Sequence, residues 1–208
     1  MLHIETVEPN TFSILDRLMR IEALKAFSLV GGTALSLRYG HRTSIDLDFF
    51  YHKKFDHDNI ITALKAEFGN NYSTESKHVR WGIFCYLDDV KVDIVYYPHL
   101  PIQKVDVIEN IRMYSDEDII AMKLNAILGR GKKKDFWDLY ELLHHYTLEN
   151  MIRFHEAKFP EQNLSITIPQ AITYFDEAEE SEDPVSLKGQ TWETIKKYIQ
   201  RQVRDFLK

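Results

Sequence analysis

Two carboxylates two residues apart, Asp46 and Asp48, follow the turn Gly31-Gly32-Thr33 after one short helical stretch and a loop. On a strand, side chains at i and i+2 point to the same face, so both carboxylates can share one hard cation. The glycine pair upstream lets backbone N–H groups approach phosphate oxygens where a helix begins. Together these features suit a divalent cation and a nucleoside triphosphate. Transfer of a phosphoryl group from a triphosphate needs charge neutralised on its non-bridging oxygens and an attacking oxygen held in line. Two Mg²⁺ ions meet both needs, and three carboxylates on neighbouring strands can hold them. Asp93 supplies the third, because Val90, Val92 and Ile94 alternate with Lys91 and Asp93 and leave the aspartate off the apolar face. Asp46 and Asp48 are expected to bind the metal that bridges to the triphosphate. Asp93 is expected to complete a second metal site, where an acceptor hydroxyl loses its proton. An Asp-x-Asp pair alone is common on solvated strands; the glycine turn before it and the strand aspartate after it favour the chemical reading.

Several elements must position these groups. Asn10 to Lys25 has the apolar spacing of an amphipathic helix, and Ala26 to Val30 reads as a short strand ending at the glycines. Thr33 to Tyr39 suits a brief helix closed by Gly40 in the left-handed conformation. Ile45 to Phe50 is a strand with Ile45, Leu47 and Phe49 on one face and the carboxylates on the other. A helix over Asp58 to Phe68 precedes three strand candidates, Tyr72 to His78, Trp81 to Leu87 and Val90 to Tyr96. Asp88-Asp89 forms the tight turn of a hairpin between the last two. Pro98 and Pro101 end this mixed half. From Ser115, which heads a capping box, the texture is helical: Ile119 to Leu128, Lys134 to Tyr146, Thr147 to Lys158 and Thr191 to Leu207, with an acidic loop over Glu177 to Asp183. The division falls near residue 105, giving a core over residues 1–104 and a helical domain over 105–208 that completes the cleft. The fold class is α+β, a mixed sheet with flanking helices followed by a helical half.

Within the helical half Lys123, Ile127 and Arg130 share one helical face, and Asp135 and Asp138 lie one turn apart on the next helix. A lysine in an apolar helix can simply snorkel to water. Asp135 can serve as a cap at its helix start. Arg42, in the loop before the aspartate strand, either contacts a phosphate or is solvated. Arg130, Lys132, Lys133 and Lys134 form the strongest local positive patch, suited to steering a nucleic acid or a triphosphate and equally compatible with a solvated junction. The nine histidines show no metal-ligand spacing.

The segment from Leu29 to Phe49, LVGGTALSLRYGHRTSIDLDF, resembles the first motif of the AbiEii/AbiGii toxin-type nucleotidyltransferases, within the DNA polymerase β-like superfamily. Asp118 to Arg130 (DIIAMKLNAILGR) and Lys133 to Leu142 (KKDFWDLYEL) resemble the family's later K-L and K-D-x-x-D-L motifs. The ordered set spans about residues 10 to 146; the last sixty residues carry no matching motif. The resemblance implies a minimal nucleotidyltransferase fold, Mg²⁺, a nucleoside triphosphate as substrate, and an acceptor hydroxyl on RNA (tRNA for some relatives) or protein. It also implies the toxin of a toxin–antitoxin pair with a cognate antitoxin as partner. By the same carry-over Lys123 becomes a triphosphate ligand, and Asp138 an active-site carboxylate that orients Lys123 or accepts the acceptor's proton. Gly31, Gly32, Thr33 and Arg42 become nucleotide contacts. Thr33 stands where the wider superfamily usually has serine, and its hydroxyl is expected to replace that phosphate contact.

Composition bounds the rest. The 208 residues are 44% hydrophobic and 12% aromatic, a folded rather than disordered chain. No apolar run approaches the roughly 20 residues that span a bilayer, and no signal-peptide pattern opens the chain. Its single cysteine, Cys85, lies in an aromatic strand-like run and reads as a buried thiol. A cytoplasmic location is expected. The net charge of −6 disfavours a broad nucleic-acid-coating surface but allows a local basic funnel. Two other readings stand beside RNA or protein modification: an enzyme acting on a small cationic molecule of the antibiotic type, and a non-catalytic nucleotide-binding or regulatory module.

Overall fold

In the computed structural model, which describes residues 1–74 and 79–208, a seven-stranded mixed sheet runs in the order β3-β4-β5-β2-β1-β7-β6. The centre comprises β1 (Ser28–Val30), β2 (Leu47–Tyr51) and β5 (Val90–Tyr96). Here β1 is antiparallel to β2, and β2 is parallel to β5. On one side β4 (Gly82–Leu87) pairs with β5 through a hairpin, its turn residues Asp88 and Asp89 at φ 52° and 65°. Two consecutive left-handed residues match the right-handed twist of the flanking strands, and aspartate tolerates that conformation. The expected strand over Tyr72 to His78 appears as β3 (Tyr72–Ser73); its remainder lies largely outside the described residues.

The opposite edge holds two strands that the sequence pattern does not reveal. Strands β6 (Asp106–Ile108) and β7 (Ile111–Met113) form a second hairpin through Glu109 and Asn110, and β7 joins β1 in parallel at Leu29 and Met113. Three-residue strands carry too few alternations to register as a period of two. The sheet therefore draws strands from both sides of residue 105.

Helices α1 (Pro9–Arg20), α2 (Gly31–Tyr39) and α3 (His57–Phe68) belong to the first half. The second half supplies α4 (Asp116–Gly129), α5 (Lys133–Leu142), α6 (Leu148–Lys158), the one-turn helices α7 (Ile168–Ala171) and α8 (Asp176–Glu179), and α9 (Trp192–Phe206). The first part of the expected acidic loop is thus helical. One apolar core runs through both halves, from Leu15 and Leu18 of α1 and Phe49 of β2 to Leu124 of α4, Trp137 of α5 and Ile199 of α9.

The helical half is fastened by a buried ion pair. Lys158 Nζ, at the end of α6, lies 2.6 Å from Asp118 Oδ1 at the start of α4, and neither side chain has solvent exposure. Asp118 also accepts hydrogen bonds from the backbone N–H groups of Ile102 (2.9 Å) and Gln103 (3.2 Å), so it ties the inter-half loop to both helices. Breaking a buried pair by removing one partner strands the other charge, at a cost of about 3–5 kcal/mol. Lys158→Met should lower the urea-unfolding free energy by about that amount; a loss below about 1 kcal/mol would show that Asp118 is satisfied by its backbone donors alone.

Candidate active site

The cleft begins at the junction of β1 and α2. Gly31 sits at φ 71°, and a Cβ there would stand 3.0 Å from Asp48 Oδ2, so only glycine lets the helix start this close to the carboxylate. A Cβ on Gly32 would meet Arg42 Nη2 at 2.1 Å, because the guanidinium passes directly over that residue. Thr33 is buried; its hydroxyl donates to the Asp46 carbonyl and lies 2.8 Å from Ser44 Oγ. It braces the loop carrying Asp46, an assignment that the expected phosphate contact did not include.

Parallel pairing sets Asp48 beside Asp93, one on β2 and one on β5, so both leave the same sheet face. Asp46 precedes the strand, which starts at Leu47. Ile45, expected to face the core, is 64% exposed. Asp46 and Asp48 line a cavity of about 290 Å³ together with Gly31, Gly32, Lys123 and Arg130. Asp93 lies outside this lining and borders a neighbouring apolar pocket instead. Among the described residues no group of three or more acidic, histidine or cysteine side chains is close enough to hold one ion. Asp48 and Asp93 form the close pair, while Asp46 Oδ2 stands 3.7 Å from Lys134 Nζ.

The electrostatics of the pair ask for positive charge. Burial first, and then the neighbouring Asp93 charge, push the Asp48 carboxyl up to about 6. Asp93 Oδ1 is buried and, among the described residues, has no hydrogen-bond partner, while Oδ2 is held by Lys91 Nζ at 2.7 Å. Lys91, two residues earlier on the same strand, is drawn toward its charged form by that contact against its own burial. The alternation that exposes Asp93 also exposes Lys91, a signal present in the sequence and not assigned a role there. An orphaned buried carboxylate oxygen beside a carboxyl that resists ionising fits a cation-binding site.

Across the cleft α4 and α5 supply the cations. Lys123 is nearly buried, its Nζ 2.9 Å from Asp135 Oδ1 and 2.7 Å from Asp138 Oδ2. It does not snorkel. Asp135 caps α5 by accepting the Lys132 N–H at 3.2 Å while bonding Lys123. Asp138 has no exposure and does not line the cleft. Arg42 clamps it in bidentate fashion, Nε at 2.7 Å and Nη2 at 3.0 Å, and His41 Nε2 lies 2.7 Å from the same carboxylate. Burial raises its pKa, yet Arg42, Lys123 and His41 hold the carboxyl well below the usual range. The expectation that Asp138 takes a proton from an acceptor fails on access: it sits behind the cleft wall, orienting Arg42 and Lys123. Arg42 lines the cleft, and its Nη1 donates to the Thr43 carbonyl at 2.8 Å. His41, which the sequence offered only as one of nine unpatterned histidines, completes this cluster.

This geometry agrees with what the chain is similar to. Residues 13–207 match the family described as Nucleotidyl transferase AbiEii toxin, Type IV TA system, so the match includes the last sixty residues. An uncharacterized protein of Aquifex aeolicus (strain VF5) is 29% identical over 199 residues, covering 93% of this chain and 94% of its own. Among solved structures, the MenT4 nucleotidyltransferase toxin of Mycobacterium tuberculosis H37Rv superposes with a TM-score of 0.64 at 11% identity, over 92% of this chain and 80% of that one. JHP933 from Helicobacter pylori gives a TM-score of 0.52 at 21% identity over 97% and 95%. With a sheet that pairs two aspartates beside a glycine-started helix, and a family match over almost its whole length, the chain belongs to the AbiEii nucleotidyltransferase toxin family.

Proposed function

We propose that the protein transfers a nucleoside monophosphate from a nucleoside triphosphate to a hydroxyl of RNA, tRNA included, and that a cognate antitoxin restrains it in the cytoplasm. The observation that carries this reading is the in-register pair Asp48 and Asp93 at the edge of a cleft whose opposite wall presents Lys123. Asp46, Asp48 and Asp93 would hold divalent ions, Mg²⁺ being the expected one. Bound there, the metal supplies charge neutralisation on phosphate oxygens and lowers the pKa of the attacking hydroxyl. The residues do the rest. The α2 start at Gly31-Gly32 offers backbone N–H groups to phosphate oxygens. Lys123, fixed by Asp135 and Asp138, adds a point charge that requires no reorganisation during the reaction. The acceptor oxygen bonds to the α-phosphorus as the bond from that phosphorus to the pyrophosphate oxygen breaks. Pyrophosphate leaves with the electron pair, and the hydroxyl proton leaves to water beside the Asp48–Asp93 pair.

Each labelled triphosphate, incubated with Mg²⁺, the protein and either total RNA or total protein, tests this. Label should enter RNA, and Asp46→Asn should remove the incorporation while the circular dichroism spectrum stays unchanged. Label in protein or in a small cationic acceptor overturns the RNA acceptor. Undiminished incorporation by Asp46→Asn removes Asp46 from the site.

A further inference from the structure

Beyond Asp93 the sheet face changes character. Antiparallel register places Phe84 opposite Asp93 and Tyr86 opposite Lys91, so all four side chains share the face that carries Asp48. With Val79 and Trp81 they wall a second pocket of about 260 Å³. Trp81 packs edge-on against Phe84, ring centroids 4.7 Å apart, yet is 53% exposed. The protein's other two tryptophans, Trp137 and Trp192, are buried against each other. A large aromatic ring left half in water beside a cluster of functional charges is better explained by a ligand than by folding, which gains only from rings removed from water.

The Asp48–Asp93 pair is the saddle between the two pockets: Asp48 lines the one with the glycine turn and Lys123, and Asp93 lines the aromatic one. If the triphosphate occupies the first, an oxygen attacking from the side away from the leaving pyrophosphate approaches over Asp93. The second pocket therefore belongs to the acceptor. Its lining is aromatic and apolar apart from Lys91 and Asp93. Flat rings with a cation beside them are what an unpaired nucleotide requires: the base stacks, and Lys91 meets its phosphate. A base held in a duplex keeps both faces covered and cannot use the platform.

We infer that Trp81, with Phe84 and Tyr86, forms an acceptor subsite that stacks the unpaired terminal base of a single-stranded RNA end and presents that nucleotide's hydroxyl to Asp93. The inference rests on the nucleotidyl-transfer reading above. Two measurements on the full-length protein keep them apart. The first is tryptophan fluorescence during titration with a short single-stranded oligoribonucleotide. Quenching is expected in the parent and should be lost in Trp81→Phe, since the buried tryptophans cannot stack on a base. The second is transfer to one RNA presented with its 3′ end either unpaired or closed into a blunt helix. The unpaired end should be the substrate. Trp81→Ala should lower kcat/KM for that RNA by roughly 10- to 100-fold, the scale of one lost stacked base. It should leave triphosphate affinity unchanged, and Trp81→Phe should recover most of the transfer.

Absent quenching, equal use of blunt ends, or parental transfer by Trp81→Ala each overturns the subsite. An equal loss of triphosphate affinity would do the same, because the platform would then seat the donor's base. Label entering protein instead of RNA, without quenching, also overturns it. Quenching by RNA together with no transfer to any acceptor leaves the platform standing and refutes the catalytic reading.

Discussion

Asp48→Asn should abolish transfer and make the metal-free protein more stable. Asp48 is half-buried beside Asp93, and burial followed by that neighbouring charge lifts its carboxyl to about 6. A carboxyl whose folded pKa exceeds its unfolded value of 3.8 adds stability while protonated, and that contribution disappears as pH rises through about 6. At pH 7 the ionised group is a net cost, which the neutral amide removes without changing shape. The melting temperature without metal should rise by about 2–4 °C at pH 7, the shift expected from roughly 1 kcal/mol in a chain of this size. The difference from the parent should shrink as pH falls below about 6 and close only below 3.8, where the unfolded carboxyl is protonated too. Transfer should fall by roughly 10³-fold or more, since losing a metal ligand forfeits several kcal/mol of charge stabilisation. A lower melting temperature for the variant at pH 7 would mean that Asp48 serves the fold, and the site would have to be sought elsewhere.

Lys123→Ala should do the opposite to stability and the same to activity. Its ammonium sits between Asp135 and Asp138, 2.9 Å and 2.7 Å away, where burial is outweighed by two negative neighbours that favour the charged form. Without it two buried carboxylates confront each other with Arg42 as the main remaining counter-charge. Folding should lose about 3–5 kcal/mol, and transfer should slow by roughly 10²-fold or more. Pairing Lys123→Met with Asp135→Asn separates the two effects by removing one cation and one anion together. Stability should largely return while transfer stays low. Recovery of transfer in the double variant would reduce Lys123 to a structural counter-ion. Lys132→Ala, on the exposed patch, should leave triphosphate affinity near the parent's. The cluster holds across the pH range in which Asp48 titrates. Asp138 is depressed well below 3.8, so its stabilising contribution is present above that value and is lost only as pH falls through its lowered pKa.

Local patterns were legible where the deciding physics is local. The period-two alternation of Val90 to Tyr96 placed Asp93 off the apolar face, the glycine pair marked a helix start, and Ser115 caps α4 by accepting the Asp118 N–H. The ordered motifs carried the family, and the sheet with its flanking helices agrees with it. Partnerships across the fold were not legible, because they depend on which elements pack rather than on spacing along the chain. Nothing in the sequence near residue 138 says that its carboxylate is clamped by an arginine ninety-six residues earlier, or that Lys123 will find two acids instead of water. Nor does an alternating strand announce whether Asp48 and Asp93 will be neighbours. Parallel pairing of β2 with β5 decided that, and the hairpin register then set Phe84 and Tyr86 beside them. By itself the sequence offered carboxylates and cations of the types phosphoryl transfer uses and, for Asp48 and Asp93, the strand face they occupy. Only the tertiary structure decided which of those charges meet in low dielectric, where a partner less than 3 Å away changes a carboxylate from a proton acceptor into a fixed counter-ion.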